Sequence, residues 1–241
     1  MSLVAQVLDG LRTVRSLPKA TISLMAAKTA DNHEFYQRLV QNFYADANSR
    51  HKRFPLIRSL QYGVALYPLL QRGDAYFDAI EASARRNVRK ARRLGYTFSR
   101  INFNAHRAEI GAIVRSAPVR QGPMPEHMLV GEVQPIADPV SQTPFHDYFY
   151  VGVFGNNELR AYAACMVAGE LFAITDIYGH AAYLADGIVP LMLVEIVRCA
   201  RTEYPQTRYC MYDKYFGAGE TLRRFKKKFL FLPYKVQWRL D

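Results

Sequence analysis

Cysteine is scarce in this chain: three in 241 residues, at Cys165, Cys199 and Cys210. They are scattered in apolar surroundings, which provides no disulfide framework and predicts buried free thiols in a reducing, cytoplasmic setting. None pairs with a histidine at metal-ligand spacing, so no metal site is expected. Long apolar runs are missing too. Nothing approaches the roughly 20 residues of a membrane-spanning helix, and no transmembrane segment is expected. The N-terminus lacks a basic stretch leading into an apolar one, which argues against a secretory leader. There is no internal repeat and no low-complexity segment. Negative charge is in deficit, with 21 Asp and Glu against 32 Lys and Arg.

The resulting net charge is +11. A chain this basic is drawn to polyanions: nucleic acid, anionic lipid or phosphorylated cofactors. A solvated basic surface that aids solubility is the plainer reading. The cations are uneven, however, and concentrate at 85–93 and 223–228. Half of the residues are apolar, enough for one sizeable core, alone or with an N-terminal extension.

Taken in order, Leu3, Val4, Val7, Leu8 and Leu11 suit a short amphipathic helix that Pro18 ends. Asp31 or Asn32 is placed to cap a second helix reaching about Asp46, with Phe35, Leu39, Val40 and Phe43 inward. Residues 1–52 therefore read as a helical extension and 53–241 as the main domain. In that domain 62–70 reads as a buried strand, Gly73 and Asp74 as a turn, and 75–94 as one helix. Gly95 suits its C-cap, and the cations of its last turn suit the helix dipole. A strand over 96–103, a helix over 105–116 and a loop through Arg120, Gln121, Gly122 and Pro123 follow. Residues 131–146 read as a long loop or lid. Strands over 147–155 and 158–167 form a hairpin across Asn156 and Asn157, and 171–178 adds a third antiparallel strand. A helix over 188–201 and a strand over 207–212 complete the middle of the chain.

The last run is the most patterned. Gly217 and Gly219 permit a tight turn into a short basic helix, with Leu222, Phe225 and Phe229 on one face. Pro233 stops helical continuation, and Val236, Trp238 and Leu240 alternate as a closing strand. The pattern Leu-x-x-Phe-Lys-x-x-Phe-x-Phe-x-Pro-Tyr, from Leu222 to Tyr234, resembles the end of a GNAT-type acyltransferase domain. It is most similar to the Fem-type branch, which moves aminoacyl groups from tRNA in peptidoglycan synthesis, and to related GNAT-like proteins of uncharacterised activity. A second stretch holds Arg85, Asn87, Arg89, Lys90, Ala91, Gly95 and Tyr96. It resembles the R-x-N-I-R-K-A-x-K-x-G-Y segment of the same proteins.

The resemblance implies an α/β (α+β) fold with a mixed, mostly antiparallel GNAT-type sheet flanked by helices. It also implies an acyltransferase that takes an acyl or aminoacyl group from a CoA or tRNA donor, without a metal. The acceptor would be an amine on a small molecule, glycan or peptide. Many Fem-type enzymes carry two such domains, and a homodimer would supply the second. Acetyl-CoA-dependent relatives hold pyrophosphate on a Q/R-x-x-G-x-G/A loop at the junction that here runs from Gly179 to Gly187, where that spacing is absent.

Acyl transfer to an amine needs a polarised carbonyl, an acceptor for the ammonium proton and a stabilised leaving group. Two neighbouring strand ends offer Asp176, His180, Tyr212 and Asp213 as catalytic candidates, with Tyr178 and Tyr215 beside them for substrate. Asp176, Tyr178 and His180 alternate and so are expected to share a face. Arg120 and Gln121 stand in a loop similar to the R-Q-G loop of GNAT-like relatives, which implies contact with the acceptor. Arg89, Gly187, Arg224 and Lys226 are the donor-binding candidates. Lys226 matches the Lys of the family's Phe-Lys pair, which in Fem-type enzymes lies near the donor and acceptor phosphates. Each candidate also has a purely structural reading: capped strand end, loop histidine, aromatic packing, turn start or solvated helix face. Two other functions compete with the enzyme. One is a non-catalytic module that binds nucleic acid through both basic clusters; the other docks an acidic protein there.

Overall fold

The computed structural model describes residues 16–52, 54–69, 75–120 and 122–241. The helix expected over 3–11, the turn at Gly73 and Asp74, and Gln121 lie outside these residues. The elements run β1 (Lys19–Ser23), α1 (Glu34–Asn48), β2 (Tyr62–Pro68), α2 (Ala75–Ala79), α3 (Ala82–Arg93), β3 (Thr97–Ile101), α4 (Arg107–Arg115) and α5 (Glu126–Leu129). They continue as β4 (His146–Gly155), β5 (Glu158–Ala168), β6 (Leu171–Gly179), α6 (Ile188–Glu203), β7 (Tyr209–Lys214), α7 (Glu220–Lys228) and β8 (Leu232–Arg239).

The strands form one eight-stranded sheet in the order β1-β8-β2-β7-β6-β5-β4-β3. The β1/β8 and β6/β7 pairs are parallel and the rest antiparallel. This is the mixed, mostly antiparallel sheet that was expected. β6 and β7 lie at its centre, and the neighbouring β4–β5 hairpin turns at Asn156 and Asn157, with φ of 53° and 63°. Both central residues of a type I′ turn need positive φ, and asparagine tolerates it. Strand alternation then divides the core. Ala161, Ala163, Cys165 and Val167 face α3, α6 and α7, while Met166 and Ala168 join α1 on the other face. Tyr162 packs with α4 there. All three cysteines are free and buried. No helix among the described residues is long and apolar enough to cross a membrane.

Several expectations need correction. The segment read as a helical extension contains β1, which joins the edge of the main sheet by pairing parallel with β8 from Lys19–Lys235 to Ser23–Arg239. Only Ala20 and Ile22 turn inward there, too few for a period of two to stand out. Pro18 precedes this strand. The helix expected over 75–94 is two helices, because Glu81 adopts φ −56° and ψ 142° as the N-cap of α3. Pro233 lies inside β8, opposite Ala65 of β2. Its missing N–H costs nothing on the other side, because β1 begins to pair only at Lys235. Leu230, at φ 61°, is what ends α7. The single turn of α5 was not expected at all.

His146 is fully buried where β4 starts. Its Nε2 donates to the Leu24 carbonyl at 2.9 Å, while Nδ1 has no partner. Burial therefore lowers the imidazole pKa below its usual 6.5. The unfolded chain takes up a proton that the folded chain refuses, so stability falls as pH drops through 6.5. Urea unfolding at roughly pH 7.5 and pH 5.5 measures that slope. In His146→Phe the slope across this range should shrink, whatever the variant's absolute stability. An unchanged slope would assign the acid sensitivity to other groups.

Candidate active site between the splayed strands

β6 and β7 are hydrogen-bonded only from Leu171–Tyr209 to Ala173–Met211. Beyond that, each follows its outer neighbour. β6 stays with β5, and Thr175 is the extra residue between the Cys165–Ile174 and Ala164–Asp176 pairs. β7 stays with β2, whose register shifts between Val64 and Leu66. Bulges bend strands and re-aim side chains. Here they open a cleft of about 410 Å³ that receives Asp176 and Tyr178 from β6, Tyr212 and Asp213 from β7, Arg120 from the loop after α4, and Lys226 from α7. The cleft walls are apolar, with Met124, Ile174 and Leu222 among them.

Asp176 lines the cleft and is exposed, yet the protein around it removes part of its water. That partial desolvation raises its carboxyl pKa, against the lowering effect of the Tyr178 hydroxyl. This hydroxyl stands 3.5 Å from Asp176 Oδ1. Tyr212 is buried and its hydroxyl pKa pushed up, chiefly by burial and then by the Asp213 charge. Asp213 turns the chain at φ 49°, a conformation Asp accepts more readily than most residues.

Lys226 departs most from expectation. Its side chain is fully buried, although Arg223, Arg224 and Lys227 around it are exposed. Nζ donates to the Lys214 carbonyl at 2.6 Å and lies 4.7 Å from the Tyr212 ring centroid. Burial lowers its pKa from 10.5 to about 8, with Asp213 opposing the shift. The signal for this position was in the periodicity. Lys226 falls four residues after Leu222 and three before Phe229, on the inward face rather than the solvated one.

Arg120 is pinned by carbonyls, donating to Ile113 at 2.7 Å and Gly179 at 3.2 Å. Its guanidinium sits 5.2 Å from the Tyr178 ring centroid. Its Nε is buried without a partner, and burial lowers its pKa.

The other candidates lie elsewhere. His180 does not line the cleft; its Nδ1 accepts from the Ala182 N–H at 3.3 Å and caps the 3₁₀ turn Ala181–Asp186. Past Gly179 the chain leaves the strand, so the expected alternation with Asp176 stops short of it. Tyr215 packs beside Phe216, with ring centroids 6.2 Å apart. Arg89 lies on α3 over the Phe77 ring at 5.6 Å, and Arg224 is exposed on α7.

Gly187 has φ 85° and touches α3 so closely that a Cβ would overlap the Asn87 carbonyl. Beside it, Asp186 accepts from the Tyr96 hydroxyl at 2.8 Å and pairs with Lys90 at 3.4 Å. Pro190, in the first turn of α6, has no N–H to offer. A helix N-terminus crossed by α3, flanked by a carboxylate and short of a donor does not fit a CoA pyrophosphate.

No family model matches the chain, and no curated protein matches its sequence. Solved structures do. FemX aligns at a TM-score of 0.54 with 10% identity, over 71% of this chain and 59% of its own. A DUF2156 C-terminal domain from Agrobacterium fabrum aligns at 0.47 with 14% identity, over 71% and 57%. A GCN5-related N-acetyltransferase from Kribbella flavida aligns at 0.38 with 11% identity, over 72% and 54%. The chain thus spans under three fifths of the length of these structures. The FemX alignment and the splayed parallel pair define the fold as GNAT-type.

The Lys226 geometry has a measurable consequence. An unfolded lysine keeps its proton up to about pH 10.5, whereas the folded one releases it near 8. Between those values the unfolded chain holds the extra proton, so stability should rise with pH. Lys226→Met, of similar length and apolar, should remove that rise. Denaturation midpoints at roughly pH 7.5 and pH 9.5 test it, and a rise of equal size in the variant would contradict the assignment.

Proposed function

We propose that this chain is an acyltransferase that joins an acyl or aminoacyl donor to an amine acceptor in the cleft between β6 and β7. The observation that carries this reading is the convergence in one cleft of a carboxylate with raised pKa, Asp176, and a buried cation with lowered pKa, Lys226. Perturbed groups of opposite type in a single cleft are the mark of acid–base chemistry.

The acceptor nitrogen arrives as an ammonium and must lose a proton to attack. Asp176 takes it, and its raised pKa makes it a better base than an ordinary surface carboxylate. Attack turns the donor carbonyl into a tetrahedral oxyanion. Lys226, beneath the cleft wall, supplies positive potential at that oxygen, in surroundings where little water screens it. Collapse breaks the bond from the acyl carbon to the leaving oxygen or sulfur. Tyr212, kept protonated by its burial, donates toward that atom and regains a proton from the nitrogen, which sheds its second proton as the amide forms. Arg120 and Tyr178 border the acceptor side.

The donor best supported is an aminoacyl ester of tRNA, because the start of α6 does not suit a CoA pyrophosphate and FemX shares the fold. The implied acceptor is an amine on a peptide or glycan.

Turnover with charged tRNA and with acyl-CoA, each offered to peptide and amino-sugar amines, tests the proposal. Asp176→Asn should lower the rate by about 100-fold or more without unfolding the protein. The rate should climb as Asp176 deprotonates and fall again near pH 8 as Lys226 loses its charge. Transfer by neither donor, or full activity in both Asp176→Asn and Lys226→Met, would overturn it.

A further inference from the structure

A second cavity lies on the α3–α6 face, between α2 and the C-terminal half of α6, with a volume of about 500 Å³. That volume is in the range of small-ligand sites. Its lining on α6 runs from Val194 to Thr202, roughly 7 to 20 Å along the helix from Val189 in the cleft at about 1.5 Å per residue. Tyr76, Val194 and Val197 form a buried apolar floor. Arg92, Arg198 and Arg201 stand around it.

The rim is built rather than loose. Glu195, only 8% exposed, accepts from Arg92 Nη2 at 2.9 Å and from Arg198 Nε at 2.7 Å. One carboxylate thus aims two guanidiniums that remain about half exposed. The wall opposite is held as well. The Tyr76 hydroxyl donates to the Phe229 carbonyl at 3.1 Å, and Arg85 donates to the carbonyls of Asp78 and Ile80. Arg92 also lies 5.3 Å from the Phe77 ring centroid. It belongs in addition to a shallow arginine surface made with Arg86, Arg89 and Arg93.

Cations alone would suit any anion, but two features narrow the choice. An apolar floor of valines beside the Phe77 ring suits an apolar body, and best an aromatic one that can stack on the ring. Asp78, set at the mouth among arginines, repels a simple anion but accepts from N–H donors. A nucleoside phosphate carries all three parts: planar base, amino group and phosphate. We propose that this cavity binds a nucleoside phosphate unit, with the base over Val194 and Val197 and the phosphate on Arg198 and Arg201. A free nucleotide and an unpaired nucleotide of an RNA share this chemistry. In the second case Arg86, Arg89 and Arg93 lie where neighbouring phosphates would run. The site stands independently of the transfer reading.

Fluorescence anisotropy with labelled AMP and with a short labelled oligoadenylate, on the whole protein, tests the proposal. Thr202→Trp, which blocks the mouth from an exposed position, and Arg198→Ala should each weaken binding by about tenfold or more. Arg38→Ala, on the opposite side of the sheet, should change nothing. Tighter binding of the oligonucleotide with a steep salt dependence identifies RNA as the source; equal affinities identify the free nucleotide. Binding of neither ligand, or binding untouched by both cavity variants, overturns the site. Lys226→Met should keep nucleotide affinity while losing transfer, so this site and the proposed reaction fail separately.

Discussion

The parting of β6 from β7 is the constraint on which the candidate site depends. Three residue pairs hold these strands together, and each then keeps only its outer partner. A break of this kind inside a sheet would ordinarily be costly, because backbone N–H and C=O groups lose their ladder. Here the freed groups border the open cleft rather than a closed core. The same divergence gives the cleft two walls with different supports, β5 behind one and β2 behind the other. Asp176 and Tyr212 therefore hang from separate halves of the sheet and meet across the gap.

Lys226 has no adequate structural reason to be a lysine. A pKa near 8 instead of 10.5 implies on the order of 3 kcal/mol of preference for the neutral amine. One carbonyl hydrogen bond and the face of Tyr212 offset part of that cost. A methionine or leucine would fill the space without any such cost. Arg120 repeats the pattern with its unpartnered Nε. Local unfavourable choices gathered at one cleft are where function is to be sought.

Most of the fold was legible because its elements are periodic. Asn156 and Asn157 marked the β4–β5 hairpin, Gly95 the end of α3, and Leu222, Phe225 and Phe229 the inward face of α7. What escaped was short or decided by contacts distant in sequence. β1 shows too few inward residues to be recognised, and the bend at Glu81 arises from a cap and the Lys228 carbonyl that accepts its N–H at 3.0 Å. Asp176, Tyr178, Tyr212 and Asp213 were legible as a group because they end adjacent strands. The role of His180 was not, since nothing local says that the chain leaves the strand at Gly179. Nor could composition separate Lys226 from its solvated neighbours; only its helical phase could.

The pairing of β1 with β8 ties residue 19 to residue 235. β8 lies between β1 and β2, so neither can be joined to the sheet on that side until the last strand has been made. During synthesis β1 must wait, extended and unpaired, while some 200 residues emerge behind it. That is a long loop to close, and such non-local pairings form late. A ribosome that stalls before residue 232 would leave two open strand edges, β1 and β2, each a template for the wrong neighbour. Completion of the sheet therefore reports that translation has passed β8.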